Sequence, residues 1–268
     1  MPELPEVETI KNDLLPHLKG RKFTGVIIHD TRPLQGITTD EFCHRLIGRK
    51  VLGVKRRGKY IMIKLDGEEY LIIHLRMTGS LLWDPVGDVP FARMEFFMDN
   101  GGRLVFTDTR RFGIIHLTHH PEKIVGRLGI EPLSDDFTPT LLHKLLQGHT
   151  VPIKSALLRQ ELIAGIGNMY ADEALFAARI HPQRPANSLT EAEIKRLHRA
   201  IITVLKQGIR NKGASIRNYR TPDGEPGHAH EEFAVAHHAG EQCPCCGSKI
   251  ERIVVSQRGT FFCPHCQR

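Results

Sequence analysis

Four cysteines in two close pairs near the end of the chain constrain its folding more than any other feature. Each pair has the C-x2-C spacing, and sixteen residues separate the pairs. Four thiolates spaced in this way are typical of a tetrahedral structural zinc site, which is closed to substrate and does no chemistry of its own. Cys245 and His265 are weaker competitors for the metal, because their spacing fits less well. The predicted ligands are Cys243, Cys246, Cys263 and Cys266.

The stretch between the two pairs predicts a β-hairpin fastened by the metal. Residues 250–255 and 260–262 are rich in β-branched and aromatic side chains, which favour strands. Residues 256–259 join them and would place Arg258 at the tip. An arginine at such a tip is most often only solvated, but on a rigid hairpin it is also suited to contact DNA.

Charge and hydropathy narrow the class of protein. The 268 residues carry 37 Lys+Arg against 30 Asp+Glu, a net charge of +7, which suggests a polyanionic partner. We find no apolar run of eighteen residues and no signal-peptide pattern at the start, so we expect a cytoplasmic protein without membrane contact. Clustered cysteines without a secretion signal also point to metal rather than to disulfides.

The first half of the chain predicts one helix followed by an antiparallel sandwich or barrel. Val7, Ile10, Leu14 and Leu18 recur at helical spacing, so we expect a helix over about 5–19 that kinks or ends at Pro16. A second helix is expected at about 38–47. Hairpin signals at 66–67 and 100–101 separate short β-rich runs. The predicted strands are 22–28, 50–54, 60–65, 70–75, 93–98 and 103–107.

The first residues offer a nucleophile. Removal of Met1 would leave Pro2 with a secondary amine whose pKa of about 8 lies well below that of a lysine side chain. A neutral amine can form a Schiff base with a carbonyl-type carbon, and Glu3 beside it could transfer protons. The alternative is an ordinary helix start, with Pro5 in the first turn and the acids favoured by the positive helix end.

Three further stretches of this half have a functional and a plain interpretation. Lys59 ends a run of cations that is either a phosphate contact or a charged hairpin edge. Met77, in the loop after His74, is either exposed or core filler. Arg110 and Phe112 combine a cation with an aromatic ring, which suits a protein that fills a gap in a base stack, although an Asp–Arg pair in a turn is the plain alternative.

The middle of the chain is predicted to be helical after a linker at 121–138. Residues 169–179 and 190–210 have helical periodicity. A glycine turn at 165–167 precedes Asn168, which either caps a helix or marks a phosphate site at its N-terminus. Lys154 could add a second phosphate contact. Residues 211–242 are rich in Gly, His and Pro and read as loop.

Taken together, these motifs resemble the bacterial formamidopyrimidine-DNA glycosylase family, which removes oxidised guanine from DNA. They stand in the family's order and spacing over essentially the full length of the chain, and the opening octapeptide is highly specific. The motifs are residues 2–9, 57–60, 74–79, 108–113 and 165–170, together with the four cysteines.

The resemblance implies a fold and a chemistry. The fold would be α+β and multidomain: a catalytic β-sandwich with an N-terminal helix at 1–120, a linker at 121–138, a helix–two-turn–helix domain with a lesion loop at 139–227, and a β-hairpin zinc finger at 228–268. The partner would be double-stranded DNA containing oxidised bases or abasic sites, bound in a cleft by a monomer near the bacterial nucleoid. One structural zinc would be the cofactor.

The resemblance also implies a role for each site residue. Pro2 would be the Schiff-base nucleophile and Glu3 the proton donor. Lys59 would assist the first strand-cleaving elimination and Arg258 the second. The DNA contacts would be His74, the side chains Met77, Arg110 and Phe112 that fill the hole left by the everted base, and the phosphate contacts Lys154 and Asn168.

Some positions depart from the family pattern. Phe91 and Arg93 stand where a His-x-His pair is common, Arg159 stands where Asp is usual, and residues 228–240 differ from the usual aromatic and Gly-Arg runs. Two rival functions follow: an endonuclease VIII-like enzyme for oxidised pyrimidines, against which Leu4 argues, and a non-catalytic zinc-stabilised DNA-binding protein, against which the intact Pro2, Glu3 and Lys59 argue.

Overall fold

The computed structural model describes residues 1–216 and 218–268, which form two compact units. One unit contains Met1–Arg127 and Asn211–His228, and the other contains Leu128–Arg210 and Ala229–Arg268. Residues 211–228, which the sequence assigned almost entirely to the helical domain, therefore pack with the N-terminal residues. Two hydrogen bonds show why: the Ala214 N–H donates to Glu6 Oε1 at 2.8 Å, and the Trp83 N–H donates to the Pro222 carbonyl at 2.8 Å.

The first helix, α1, spans Leu4–Leu18 and confirms the predicted helix. Its apolar side chains at three-to-four spacing are fully buried, so the helix lies with that face on the core. Pro16 stands inside the helix and does not end it. Because Pro16 is near the C-terminal end, its missing N–H removes only one bond of the ladder.

Two four-stranded antiparallel sheets make up most of the N-terminal unit and confirm the predicted sandwich. One has the strand order β1-β6-β7-β5 and the other β2-β3-β4-β8. The predicted strands are all present, while β5 and β8 were not predicted. The elements are β1 Phe23–Ile28, α2 Thr39–Leu46, β2 Val51–Arg57, β3 Tyr60–Leu65, β4 Tyr70–His74, β5 Gly79–Trp83, β6 Ala92–Met98, β7 Arg103–Asp108, β8 Ile114–Thr118 and α3 Glu122–Val125.

One hydrophobic cluster joins α1, α2 and the sheets of this unit. Phe96 lies near its middle, with its ring 6.0 Å from that of Phe23 and 6.5 Å from that of Phe42. Buried aromatic side chains of this size dominate core stability. The cluster holds the ends of β2, β4 and β7, which carry the candidate site residues, on a rigid base.

The second unit is helical and ends in the metal-type hairpin. Thr138 caps its first helix, accepting a hydrogen bond from the Leu141 N–H at 3.2 Å. Its longest helix has a buried face with Ile194, Leu197, Ile201 and Leu205, as predicted. The elements are α4 Pro139–Gln147, α5 Ile153–Leu157, α6 Asn168–Ala178, a 3-10 turn Ala186–Ser188, α7 Glu191–Arg210, a 3-10 turn Ala229–Glu232, β9 Glu251–Val255 and β10 Arg258–Phe262.

The hairpin β9–β10 is longer than predicted. Arg258 pairs with Val255 as the first residue of β10, so Arg258 flanks the turn and does not form its tip. The tip is Ser256–Gln257, with φ values of 46° and 62°. Two consecutive positive φ angles give a turn whose twist matches that of the strands, which accounts for the two-residue connection. None of the helices in the described residues has the length and apolarity that crossing a membrane requires.

Candidate functional site

The start of the chain is held in place by carboxylates. Pro2 and Glu3 are buried. The Glu3 N–H donates to Glu6 Oε2 at 2.7 Å, and the Glu3 side chain accepts in return from the Glu6 N–H, which makes a capping box. The second oxygen of Glu6 binds the Ala214 N–H. The residue that would carry the reactive amine therefore has a fixed position, and the plain interpretation of a helix start with acids is also correct.

A second ion-paired link connects α1 to the turn that carries Lys59. Arg56 Nε donates to Glu8 Oε2 at 2.7 Å, and Lys11 Nζ donates to Glu8 Oε1 at 2.7 Å. Burial alone would raise the pKa of the Glu8 carboxyl, but these two cations outweigh burial and lower its pKa below the ordinary value. Glu8 is thus ionised and keeps β2 beside the first helix.

Lys59 lies in a two-residue turn between β2 and β3 and is buried. Gly58, the first residue of that turn, has a φ of 55°, a conformation that glycine adopts without strain. The burial of Lys59 excludes the alternative of a solvated hairpin edge. Arg56 also donates to the Gly58 carbonyl at 3.0 Å, so the turn is tied to the same ion-paired link.

His74 pairs with Tyr60 in the register of β3 and β4. Tyr60 directly follows Lys59 in sequence, so this pairing places His74 near the turn that carries Lys59. Burial, and then the positive charges of Arg76 and Lys59, lower the pKa of His74 to about 3. The ring is therefore neutral at physiological pH. Its Nδ1 accepts from the Arg76 N–H at 3.0 Å, which assigns the ring proton to Nε2 as a hydrogen-bond donor.

Met77, Arg110 and Phe112 lie on two loops that one carboxylate joins. Met77 is 44% exposed and Phe112 51% exposed, so neither is core filler. The Arg110 guanidinium lies 4.6 Å from the centre of the Phe112 ring. The buried Asp108 carboxylate accepts from the N–H groups of Arg110, Phe112 and Gly113. In these contacts Asp108 accepts hydrogen bonds from backbone N–H groups, so they do not form the alternative, an Asp–Arg ion pair in a turn.

In the second unit, Lys154 is buried, and a carboxylate, a hydroxyl and a backbone carbonyl bind its ammonium. Its ammonium lies 2.7 Å from Asp172 Oδ1 and donates to Thr260 Oγ1 at 2.8 Å and to the Gly259 carbonyl at 3.0 Å. Burial raises the pKa of Asp172 to about 7, against the effect of the lysine charge. A phosphate contact by Lys154 stays a prediction, and the structure gives this side chain a second role as the anchor of β10.

Asn168 is the first residue of α6 and does not cap it, because the N-cap is Gly167 and no side chain bonds the first turn there. The predicted Asn cap was wrong. The Asn168 amide instead donates to the Gly259 carbonyl at 2.9 Å. The side chains of Asn168 and Lys154 thus meet at the Gly259 carbonyl oxygen, next in sequence to Arg258. This brings together the three residues of this unit that were predicted to act on DNA.

The four predicted cysteine ligands converge. Their sulfur atoms all lie within 4.8 Å of one another. The Cys243–Cys266 and Cys246–Cys263 sulfur pairs are 3.8 Å and 3.5 Å apart. Zn–S bonds of about 2.3 Å in a tetrahedron require sulfur atoms about 3.8 Å apart, so the thiolates fit zinc. Cys245 is exposed and is not one of the group.

The positions that depart from the family pattern have defined contacts. Phe91 is exposed, with a φ of 60°, and the Arg93 guanidinium lies 6.0 Å from its ring centre. In the 228–240 segment, Ala234, Val235 and Ala236 donate their N–H groups to the buried Glu173 carboxylate at 2.8–2.9 Å. Burial raises the pKa of Glu173 although these bonds oppose it.

Comparison with known proteins places these features in one family. Residues 1–115 match the formamidopyrimidine-DNA glycosylase N-terminal domain, residues 128–220 match the H2TH domain of the same enzymes, and residues 240–268 match the zinc finger found in FPG and IleRS. This order defines the class of zinc-finger DNA glycosylases.

Individual relatives agree over the whole chain. The formamidopyrimidine-DNA glycosylase of Chloroflexus aurantiacus is 48% identical, covering 100% of this chain and 98% of its own. The crystal structure of the MutM (Fpg) protein of Thermus thermophilus has a TM-score of 0.90 at 40% identity, covering 99% of this chain and 98% of that one. Lactococcus lactis Fpg in complex with DNA containing an abasic site has a TM-score of 0.92 at 35% identity, with 99% of each chain covered. The chain belongs to the formamidopyrimidine-DNA glycosylase family.

Proposed function

We propose that the protein is a bifunctional DNA glycosylase and abasic-site lyase of base excision repair. It excises oxidised purines, 8-oxoguanine and formamidopyrimidines, from double-stranded DNA through a Schiff base on Pro2. It then cleaves the strand by β- and δ-elimination. The observation that carries the proposal is the fixed, buried start of the chain, where the capping box holds Pro2 and Glu3 at the end of α1.

The chemistry begins once Met1 has been removed. The Pro2 nitrogen forms a bond to the sugar C1′ while the glycosidic bond breaks, and the departing base takes the bonding electrons and a proton. Glu3 is the acid nearest in sequence to this amine and transfers the proton. The C1′–O4′ bond then breaks, O4′ takes up a proton, and the resulting iminium acidifies the C2′ proton. Loss of the C2′ proton expels the 3′ phosphate, and loss of a further proton from C4′ expels the 5′ phosphate. Hydrolysis of the iminium finally frees Pro2.

Lys59 and Arg258 assist the two eliminations. Lys59 lies on a rigid turn that is linked through Arg56 and Glu8 to α1, the helix that follows Pro2, and this position supports its role in the first elimination. The attachment of Gly259 to Lys154 and Asn168 fixes the backbone beside Arg258 and supports a role in the second. The neutral His74, with Nε2 as donor, suits a hydrogen bond to DNA.

A base must leave the stack before its glycosidic bond is reachable, at a cost of a few kcal/mol. Met77, Arg110 and Phe112 would offset that cost by filling the gap, as inserted side chains do in other DNA complexes. Their exposure and the contact between Arg110 and Phe112 support this role. Asn168, at the N-terminal end of α6, lies where the helix dipole favours a phosphate.

The remaining parts of the proposal concern the metal and the surroundings of the protein. One zinc held by the four cysteines would stiffen the β9–β10 hairpin without taking part in the reaction. Lactococcus lactis Fpg has been solved with Fapy-dG-containing DNA, which supports DNA of this kind as the partner here. A monomer in the bacterial cytoplasm, close to the nucleoid, agrees with such a substrate.

The test is to trap the Schiff base and locate it. Borohydride should join the wild-type chain to a duplex containing 8-oxoguanine, and tandem mass spectrometry should find the sugar remnant on the tryptic peptide of residues 2–11. We expect Pro2→Gly to trap at least about tenfold less, equivalent to about 1.4 kcal/mol in the barrier. Pro16→Ala, an exposed proline of the same helix, is the matched control and should trap normally.

Four results would contradict the proposal. A remnant found on Lys59, or full activity from a chain that still carries Met1, would remove the role of Pro2. Trapping only with oxidised pyrimidines would favour an endonuclease VIII-like specificity. A folded, DNA-binding chain that traps no substrate at all would indicate a non-catalytic protein.

A further inference from the structure

Two loops of the N-terminal unit carry the exposed side chains Met77, Arg110 and Phe112, and each loop has a strained residue beside them. Arg76, just before Met77, has a φ of 54°, and Arg111, just before Phe112, has a φ of 60°. Residues other than glycine adopt such angles only where the surrounding structure holds them. The contacts that hold these loops therefore decide where the exposed side chains point.

Both loops are also tightly packed. A Cβ atom added to Gly79 would lie 2.4 Å from the Leu75 carbonyl oxygen. A Cβ atom added to Gly113 would lie 2.4 Å from the Phe106 ring. The first loop is thus closed tightly on itself, and the second lies directly against a core ring, so the contacts between the two loops decide how their exposed side chains are placed relative to each other.

The two loops are joined through Thr78 and Asp108. The Thr78 hydroxyl donates to Asp108 Oδ1 and accepts from the Arg110 N–H at 3.2 Å. Asp108 Oδ1 accepts from the same N–H at 3.1 Å, and its Oδ2 accepts from Phe112 and Gly113 at 2.8 Å and 2.7 Å. The buried Asp108 carboxylate thus holds the loop of Arg110 and Phe112 with both of its oxygens. The Thr78 hydroxyl joins the same carboxylate to the loop of Met77.

Asp108 is itself fixed by its backbone. Its N–H donates to the Phe91 carbonyl at 3.1 Å, and its carbonyl accepts from Arg93 Nε at 2.8 Å. Phe91 and Arg93 are the residues that depart from the family pattern. In this chain they hold the Asp108 backbone from the start of β6, so this backbone cannot shift without disturbing the strand pair β6–β7.

We propose that Asp108 and Thr78 are positioning residues that make Met77, Arg110 and Phe112 a single rigid wedge for insertion into the base stack. Neither of them touches the reacting atoms. The inference rests on the proposed function, because it assigns a role within the eversion of the damaged base. Pre-organised contacts of this kind remove the cost of ordering side chains at the moment of insertion.

Two substrates separate this role from a general effect on the fold. A duplex with 8-oxoguanine opposite cytosine requires eversion and gap filling, whereas a single-stranded oligonucleotide with a ready-made abasic site requires neither. Single-turnover excision is measured on the first and borohydride trapping on the second. For Thr78→Val we expect excision to fall about tenfold while trapping stays within about twofold of wild type.

Further variants complete the test. Thr78→Ser keeps the hydroxyl and should restore excision, and Thr24→Val, an exposed threonine of β1, should match wild type on both substrates. Asp108→Asn should show a larger selective loss than Thr78→Val, since an amide cannot accept all four bonds. A 2-aminopurine opposite the lesion should show slower unstacking with Thr78→Val than with wild type.

The outcomes of these measurements distinguish failure of the inference from failure of the proposed function. Equal losses on both substrates, or no loss on either for Thr78→Val, would overturn the inference while the proposed function stands. A wild-type chain that traps neither substrate would overturn the proposed function and this inference with it. Thr78→Val keeps the test valid if Asp108→Asn fails to fold.

Discussion

Replacement of Lys154 by methionine tests the most buried ion pair of the candidate site. At 2.7 Å from Asp172 Oδ1, the ammonium gains a Coulomb energy of about 6 kcal/mol at an effective dielectric constant of about 20. Desolvation offsets part of this gain. Removing one partner leaves a buried carboxylate, a carbonyl and a hydroxyl without that donor. We therefore expect Lys154→Met to lower the free energy of unfolding by about 3–5 kcal/mol.

Urea denaturation of the full chain measures this loss, and a double-mutant cycle isolates the pair. Lys154→Met with Asp172→Leu removes both charges, so we expect most of the loss to be recovered. The single variant should lose more stability at pH 9 than at pH 6, because the buried Asp172 carboxyl can take up a proton at lower pH. Lys144→Met, an exposed lysine of α4, is the control and should change stability by less than about 0.5 kcal/mol.

Two results would refute this reasoning. A loss below about 1 kcal/mol for Lys154→Met would mean that the ammonium is not a structural anchor. A double variant as unstable as the sum of the two single variants would mean that the two charges are not coupled.

Two further predictions concern protonation and metal. Between pH 7.5 and 4.5 an unfolded histidine with a pKa of about 6.5 takes up a proton, while His74, with its pKa lowered to about 3, does not. The protein therefore loses stability as the pH falls. Urea titrations at the two pH values measure this loss, and His74→Asn should reduce it by about 2–3 kcal/mol. An unchanged pH dependence of stability in this variant would contradict the prediction. Cys263→Ser should release zinc, measured by atomic absorption, and weaken DNA binding, whereas Cys43→Ser, away from the cluster, should keep both. Zinc retained at the wild-type level in Cys263→Ser would argue against the ligand set.

Local patterns predicted the local parts of the fold. The spacing of Val7, Ile10 and Leu14 predicted α1 because it describes one face of a helix. The C-x2-C spacing of the two cysteine pairs predicted that their four sulfur atoms would lie close together, and this is observed. Strand β8, with Ile115 and Leu117 buried, has the alternation of a half-buried strand, although it was not predicted. Strand β5 had a weaker signal, because it begins with Gly79 and Ser80 and has few β-branched residues.

Contacts between distant residues were not predictable in this way. A lysine is rarely fully buried, and the burial of Lys154 depends on Thr260, 106 residues further along the chain. The sequence around Asp108 is typical of a charged turn, and nothing local indicates its hydrogen bond with Thr78, thirty residues earlier. The link from Arg56 to Glu8 spans 48 residues and has no local signature either.

The hydrogen bond from Ala214 to Glu6 has a consequence for biosynthesis. It belongs to a compact unit assembled from both ends of a long stretch of polypeptide, residues 1–127 and 211–228. A ribosome delivers the first part well before the second, and residues 128–210, which belong to the other unit, emerge in the meantime. The Glu6 carboxylate has no Ala214 N–H to bind until then, so a nascent chain cannot complete its first unit until translation has passed residue 228. The unit that contains the start of the chain therefore closes only after α4, α5, α6 and α7 of the other unit have been synthesised.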